Sequence, residues 1–122
     1  MQISEAESAV METLWQRHPQ SSEDVIAALA QSRDWQEATI KTLLNRLLKK
    51  GAVTVEKDGR RYLYSPAIER DDWLTGESKG LLDRLFGGRV APLVAHFSEH
   101  RKLSKKDVAE LRKLIEGLDD ER

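Results

Sequence analysis

Three residues in the C-terminal third of the chain, His96, Glu99 and His100, have types and a spacing that could do chemistry. The segment His96-Phe-Ser-Glu-His100 fits the pattern H-x-x-E-H, in which two histidines one helical turn apart bind zinc and the glutamate acts as a general base. Catalysis would also need a third ligand and a substrate cleft, and neither is evident in a chain of 122 residues. We therefore expect no enzyme, no metal site and no cofactor. A regulatory metal held by His96 and His100 stays an alternative to two surface or dimer-interface histidines.

A second group of side chains, between Lys41 and Arg61, could bind phosphates and base edges. This stretch holds seven cations and two carboxylates, a local net charge of about +5, whereas the whole chain carries −1. The near-neutral total argues against a coat of positive charge that binds any nucleic acid. The pattern predicts a polyanionic partner for this stretch alone.

The first half of the cationic stretch is predicted to be an amphipathic helix within residues 35–51. Its apolar residues recur at helical spacing and are expected to face the core, and Gly51 is placed to close the helix in a left-handed conformation. Trp35, just before the helix, is expected to fill a gap between helices rather than to stack on a base. The predicted core-facing stripe consists of Ile40, Leu43, Leu44, Leu47 and Leu48.

The opposite face of this helix carries short polar side chains near its start and cations further along. Thr39, Lys41 and Thr42 are the predicted readers of base edges, because the N-terminal end of a recognition helix meets the bases in the major groove. Further along the same face, Asn45 could pair with adenine, while Arg46, Lys49 and Lys50 are expected to contact phosphates.

Two short alternating runs around Asp58-Gly59 predict a β-hairpin. Asp-Gly favours a type I′ turn, which needs a positive φ at both central residues. Lys57, Arg60 and Arg61 would lie at the hairpin tip and reach the flanking DNA backbone or the adjacent minor groove. Tyr62 and Tyr64 on one strand are interpreted as packing residues.

The N-terminal segment predicts two further helices. Ser4 and Glu7 form a capping box for a helix that ends before His18-Pro19, and Ser21 or Ser22 caps a second helix over about residues 23–31. Three helices followed by a basic hairpin predict a winged helix-turn-helix over residues 1–67. A winged helix that binds only protein is disfavoured, because its surface would be expected to show apolar anchors in place of these cations.

Residues 68–122 predict three more helices with apolar faces. One runs from Glu69 to about Phe86, one contains Leu93–Phe97, and the last follows a capping box at Ser104 and Asp107. These helices have too little mass to bury their apolar faces alone, so we expect a homodimer. Two recognition helices related by a two-fold axis would then face a palindrome in double-stranded DNA. The predicted dimerisation residues are Trp73, Leu82, Leu85, Phe86, Leu93, Val94, Phe97, Val108, Leu111, Leu114 and Ile115.

Composition excludes several other classes of protein. The chain has no cysteine, and therefore no disulfide, thiolate metal site or cysteine nucleophile. No apolar run is long enough for a membrane span, and the N-terminus does not have the pattern of a signal peptide. We expect a cytoplasmic protein without stable membrane association.

Several motifs in order resemble the BlaI/MecI/CopY family of bacterial repressors, the penicillinase-repressor type. The similarity covers both halves of the chain and includes Ile3–Glu7, Thr39–Leu47, Lys49–Gly51, Tyr62–Pro66, Leu82–Gly88 and Ala91–Ala95. The resemblance implies a homodimer with an N-terminal winged helix and a C-terminal helical dimerisation region. It also implies repression by occupation of a palindromic operator.

The chain departs from this family pattern in ways that bear on induction. Antibiotic-responsive members are cut at an Asn-Phe bond, which aligns here with His96-Phe97, so release by a membrane sensor-peptidase system is an expectation that the substitution weakens. Copper-responsive members carry a C-terminal cysteine cluster that this chain lacks. Gln36-Glu37 replaces the Ser-Pro pair that commonly precedes the recognition helix, which leaves the helix start less firmly capped.

Overall fold

The computed structural model describes residues 1–120 as a mainly α-helical chain with one small antiparallel sheet. The chain divides into two compact units, Met1–Leu74 and a second that begins at Thr75. The predicted fold class is confirmed. The elements are α1 (Glu5–Gln16), β1 (Gln20–Ser21), α2 (Ser22–Ser32), α3 (Glu37–Lys50), β2 (Val53–Asp58), β3 (Arg61–Pro66), α4 (Arg70–Leu85), α5 (Val90–Glu99) and α6 (Lys105–Asp120).

Reciprocal side-chain caps begin α1 and α2, as capping boxes require. The Ser4 hydroxyl accepts from the Glu7 amide at 3.1 Å, and the Glu7 carboxylate accepts from the Ser4 amide at 3.0 Å. At α2 the capping residue is Ser21, which exchanges equivalent bonds with Asp24. Each box satisfies amide groups that a helix start would otherwise leave without acceptors.

The core of the first unit lies between α1, α2 and α3. Its members come from the apolar stripes that the helical spacing predicts, and Trp35 packs against their edge. Leu48 was expected in this core, but it is 36% exposed, because it stands at the margin of the α3 stripe. The buried core residues are Val10, Met11, Leu14, Val25, Leu29, Ile40, Leu43, Leu44, Leu47, Ala52 and Val53.

The sheet has three strands in the order β1-β3-β2, and both pairings are antiparallel. The sequence predicted the hairpin of β2 and β3 but not β1. A two-residue strand is too short to show an alternating pattern, and its buried residues, Gln20 and Ser21, are polar. Gln20 is accommodated because its side-chain amide donates to the carbonyl oxygens of Thr13 and Arg17.

The hairpin turn differs from the predicted type I′. Asp58 pairs with Arg61, so Gly59 and Arg60 are the two central residues of the turn. Gly59 has a φ of 64°, whereas Arg60 does not have a positive φ. A positive φ at the first central residue alone is the type II′ pattern, which avoids placing a side chain in the left-handed region.

The second unit holds most of α4 together with α5 and α6. Ser104 and Asp107 form the predicted capping box of α6, with bonds of 3.3 and 3.0 Å. Within residues 75–119 no side chain is fully buried. Across residues 1–120, no helix is both long and apolar enough to cross a membrane.

Candidate nucleic-acid interface

The exposed side of α3 carries every side chain that the sequence assigned to DNA from this helix. Ile40, Leu43, Leu44 and Leu47 anchor the helix in the core, so its other face is turned to solvent. Gly51 ends the helix with a φ of 78°, and its amide donates to the carbonyl oxygens of Leu47 and Leu48. The exposed side chains are Thr39, Lys41, Thr42, Asn45, Arg46, Lys49 and Lys50.

The Thr42 side chain has a more restricted role than its residue type suggests. Its hydroxyl donates to the Ala38 carbonyl oxygen at 2.9 Å, so the hydroxyl proton is already in use. The residue is exposed, and its hydroxyl oxygen can still accept a hydrogen bond. Thr42 can therefore accept from an amino group of cytosine or adenine, or contact a thymine methyl group, without giving up this bond.

The tip of the hairpin presents three exposed cations, Lys57, Arg60 and Arg61. Arg61 Nη2 lies 3.1 Å from Asp58 Oδ2, and both side chains are 59% exposed. An ion pair in this much water contributes little to stability. Arg61 can therefore exchange Asp58 for a phosphate at small cost.

Lys50 is tied to the protein rather than free at the end of α3. Its ammonium group lies 2.6 Å from Glu7 Oε1 and donates to the Gln2 carbonyl oxygen at 2.8 Å. This interaction was missed at the sequence level: Ser4 and Glu7 showed only the capping box, and nothing in their spacing pointed to a cation 43 residues away. The phosphate contact predicted for Lys50 stays a prediction, and it would compete with this ion pair.

The Glu7 carboxylate is almost fully buried, with 2% of the residue exposed. Burial by itself raises the pKa of a carboxyl group, but the hydrogen bonds from Lys50 and Ser4 outweigh it and lower the pKa of Glu7 below its ordinary value of 4.5. Glu7 is therefore ionised at neutral pH and joins the start of α1 to the end of α3.

Glu7→Gln is expected to lower the free energy of unfolding by about 1–2 kcal/mol at pH 7, because the carboxylate that pairs with Lys50 becomes a neutral amide while the ammonium group keeps its charge. Because the folded pKa lies below the unfolded one, the stabilisation is present above about pH 4.5 and is lost as the pH falls through the folded value. The difference in free energy of unfolding between the unmodified protein and Glu7→Gln should therefore become smaller in acid.

Urea denaturation at pH 7 and pH 3.5 measures this difference. Glu5→Gln, in the same first turn of α1 but exposed, is the matched control and should change stability little at either pH. If Glu7→Gln lowers the free energy of unfolding equally at both pH values, the lowered pKa of Glu7 cannot be assigned to its pair with Lys50.

The histidines of the H-x-x-E-H motif lie at the end of α5. The ring centroids of His96 and His100 are 4.4 Å apart, and His100 Nδ1 lies 2.8 Å from the His96 carbonyl oxygen. Among residues 1–120, no group of three or more His, Asp or Glu side chains is arranged to hold a metal ion. Within the described residues, the fold thus brings no third ligand to His96 and His100, which metal sensing would need.

Ten of the eleven side chains predicted for dimerisation are in the second unit, and five of them are exposed. Leu114 is 66% exposed, Leu85 60% and Ile115 57%, while Leu82 and Leu111 are half-buried within their own unit. Leu93, Val94, Phe97 and Leu111 line an apolar groove of about 270 Å³ between α5 and α6. Trp73 differs from the rest, because it belongs to the first unit and packs against Trp15.

A helix-turn-helix followed by a cationic hairpin defines the winged-helix class of DNA-binding folds. The sequence profile of the penicillinase repressor family matches residues 3–117. The chain belongs to that family, and the resemblance found in its motifs is confirmed.

Individual relatives are similar along almost the whole chain. The penicillinase repressor of Bacillus licheniformis is 36% identical over 115 residues, which cover 94% of this chain and 90% of the relative. The methicillin resistance regulatory protein MecI of Mammaliicoccus sciuri is 33% identical over 114 residues, with 93% of each chain covered. The solution structure of monomeric B. licheniformis BlaI in complex with the blaP half-operator is 40% identical, with a TM-score of 0.53, and covers 59% of this chain and 88% of that one.

Proposed function

We propose that this protein is a transcriptional repressor that binds a palindromic operator in double-stranded DNA as a homodimer. The observation that carries the proposal is the exposed cationic and polar face of α3, on a helix whose apolar face is anchored in the core. A relative solved with a half-operator has the same winged helix, and membership of the repressor family agrees with a protein that acts by binding rather than by catalysis.

Contacts with DNA divide into two kinds in this proposal. Thr39, Lys41 and Thr42 lie in the first turns of α3 and read base edges, with Asn45 reaching an adenine. Phosphate contacts fix the position of the protein on the duplex and carry no sequence information. They come from Arg46, Lys49 and Lys50 on α3 and from Lys57, Arg60 and Arg61 on the hairpin.

Selection of bound duplexes from a random DNA pool tests the proposal directly. The expected result is one palindrome whose half-sites are centred on one face of the duplex, about 34–36 Å or a multiple apart. A pool that stays random after several rounds at physiological ionic strength would overturn the proposed function.

Arg60→Ala is expected to weaken binding to the selected operator and to random DNA by a similar factor, about 3- to 10-fold. The reason is that a phosphate contact from the hairpin tip supplies affinity without sequence information. The slope of log K against log salt should become shallower by roughly one unit, and titrations at several salt concentrations measure it.

The matched control for Arg60→Ala is Arg112→Ala, which removes an equal charge from α6 in the second unit. It should leave the salt slope close to that of the unmodified protein. A loss for Arg60→Ala on the operator alone would instead make Arg60 a base reader.

The homodimer is proposed from the composition of the second unit. Residues 75–119 bury no side chain fully, yet α6 exposes Leu114, Ile115 and Leu118 on one face. Contiguous exposed apolar side chains on a small unit are typical of a protein interface. A second copy of the chain would cover them and would present the recognition helix twice.

Induction by a membrane sensor-peptidase system is the remaining part of the proposal. The aligned bond, His96-Phe97, lies inside α5, and Phe97 is 40% exposed. A peptidase acts on transiently opened chain, so cleavage at this bond requires α5 to open locally.

A further inference from the structure

The start of α4 is held against α1 by two pairs of side chains. The rings of Trp15 and Trp73 are 5.4 Å apart between centroids and inclined by 40°, and Trp15 Nε1 donates to the Ile68 carbonyl oxygen at 2.9 Å. One turn before Trp73, Arg70 Nε donates to both carboxylate oxygens of Glu12, at 3.0 and 3.2 Å. All five residues belong to the first compact unit, so the first turn of α4 is part of that unit.

The same contacts connect α4 to the recognition helix. Trp15 packs against the hydrophobic core that contains Ile40, Leu44 and Leu47 of α3. Protein cores are close-packed, so a displacement on one side is passed to the other. Trp15 is thus in contact both with the core that holds α3 and with the ring of Trp73 in the first turn of α4.

Two features of these contacts add little to stability or reduce it. Trp73 Nε1 is buried, and within residues 1–120 it has no hydrogen-bond partner, an arrangement that costs stability. The Arg70 and Glu12 side chains are 48% and 38% exposed, so their ion pair contributes little. What these contacts do supply is a fixed direction for the first turn of α4.

We propose that Trp73 and Arg70, through Trp15 and Glu12, are positioning residues that determine which spacing of operator half-sites the protein accepts. They hold the first turn of α4 against α1 and do not themselves touch DNA. The proposal rests on the proposed homodimer, because spacing has meaning only when two recognition helices bind together. Narrowing the directions open to the first turn of α4 would raise the effective concentration of the second recognition helix at the favoured spacing and lower it at others.

The experiment measures binding of the full chain to the palindrome selected from the random pool, to a single half-site, and to palindromes whose spacing is altered by 1, 2 and 5 base pairs. For the unmodified protein, a 5-base-pair change should lower the affinity at least about 100-fold, because it turns the two half-sites to opposite faces of the duplex. Trp73→Ala is expected to bind the half-site with an affinity within about 2-fold of the unmodified protein. Its affinity for the palindrome of selected spacing should fall about 10-fold. The 5-base-pair change should then lower the affinity of this variant by less than about 10-fold.

Trp73→Phe is the matched control, because it keeps an aromatic ring against Trp15 and removes only the unpartnered N–H. It should keep the spacing profile of the unmodified protein. The ion pair offers a second, independent test that does not disturb the rings. Glu12→Arg should broaden the spacing profile by placing two cations together, and the double change Glu12→Arg with Arg70→Glu should restore it.

Two outcomes would overturn the proposal. In the first, Trp73→Ala and Glu12→Arg both keep the spacing profile of the unmodified protein. In the second, the variants lose as much affinity for the half-site as for the full site, which is the result expected from a general loss of structure. Failure of the proposed function looks different: the random pool would yield no palindrome, or the unmodified protein would show no gain in affinity from a second half-site at any spacing.

Discussion

Ile115→Asp is expected to convert the proposed homodimer to a monomer and to abolish operator binding at nanomolar protein. Ile115 is 57% exposed in the single chain, so its replacement removes little packing within its own unit. In a two-fold interface the change is counted twice, at about 2 kcal/mol for each buried side chain lost. The sum of about 4 kcal/mol weakens dimerisation roughly 1000-fold.

Sedimentation velocity at micromolar and nanomolar protein measures this dissociation. Lys113→Asp introduces the same carboxylate on the opposite side of α6 and should leave the dimer intact. Leu111 is a less suitable target, because it is half-buried in the groove of its own unit and its replacement would also disturb folding. An Ile115→Asp protein that still sediments as a dimer would place the interface on another face.

Lys41→Ala is expected to weaken binding to the selected operator by about 10- to 100-fold and binding to random DNA by no more than about 3-fold. A lysine that donates to a guanine edge contributes about 1–3 kcal/mol of discrimination, whereas its charge alone contributes only the phosphate attraction that every duplex offers. Lys41 is exposed in the second turn of α3, at the end of the helix that meets base edges in this class of fold.

Competition titrations against operator and random duplexes measure that ratio. Lys49→Ala is the matched control, since it removes the same charge from the last turn of α3 and should weaken both duplexes alike. Equal losses on the two duplexes for Lys41→Ala would make Lys41 a phosphate contact and would leave base recognition to Thr39, Thr42 and Asn45.

Local signals predicted most of the fold. The capping serines Ser4 and Ser104, the closing Gly51 and the apolar stripe of α3 each act through near neighbours in sequence, so their geometry could be inferred from spacing. The face of α3 that is left exposed follows directly from the stripe. The candidate recognition surface of this helix was therefore predictable without the structure.

Features that depend on distant residues were not predictable in the same way. The pairing of Lys50 with Glu7, the contact of Trp15 with Trp73 and the strand of Gln20–Ser21 all join residues that only the folded chain brings together. Each involves a residue whose local pattern already had another explanation. From the sequence, Glu7 was interpreted as a capping residue, Lys50 as a member of a cationic stretch, and Trp73 as an apolar residue of the dimerisation region at residues 68–122.

The pairing of β3 divides the hairpin into a supported base and an unsupported end. Leu63 and Tyr64 are bonded to β1 on one side and β2 on the other, whereas Arg61 and Tyr62 have β2 alone as their neighbour. The sheet therefore holds β3 on both sides as far as Leu63, and Arg60 lies about 10 Å beyond that residue along the strand. The phosphate contacts proposed for the hairpin thus come from the part of it in which each strand has a partner on one side only.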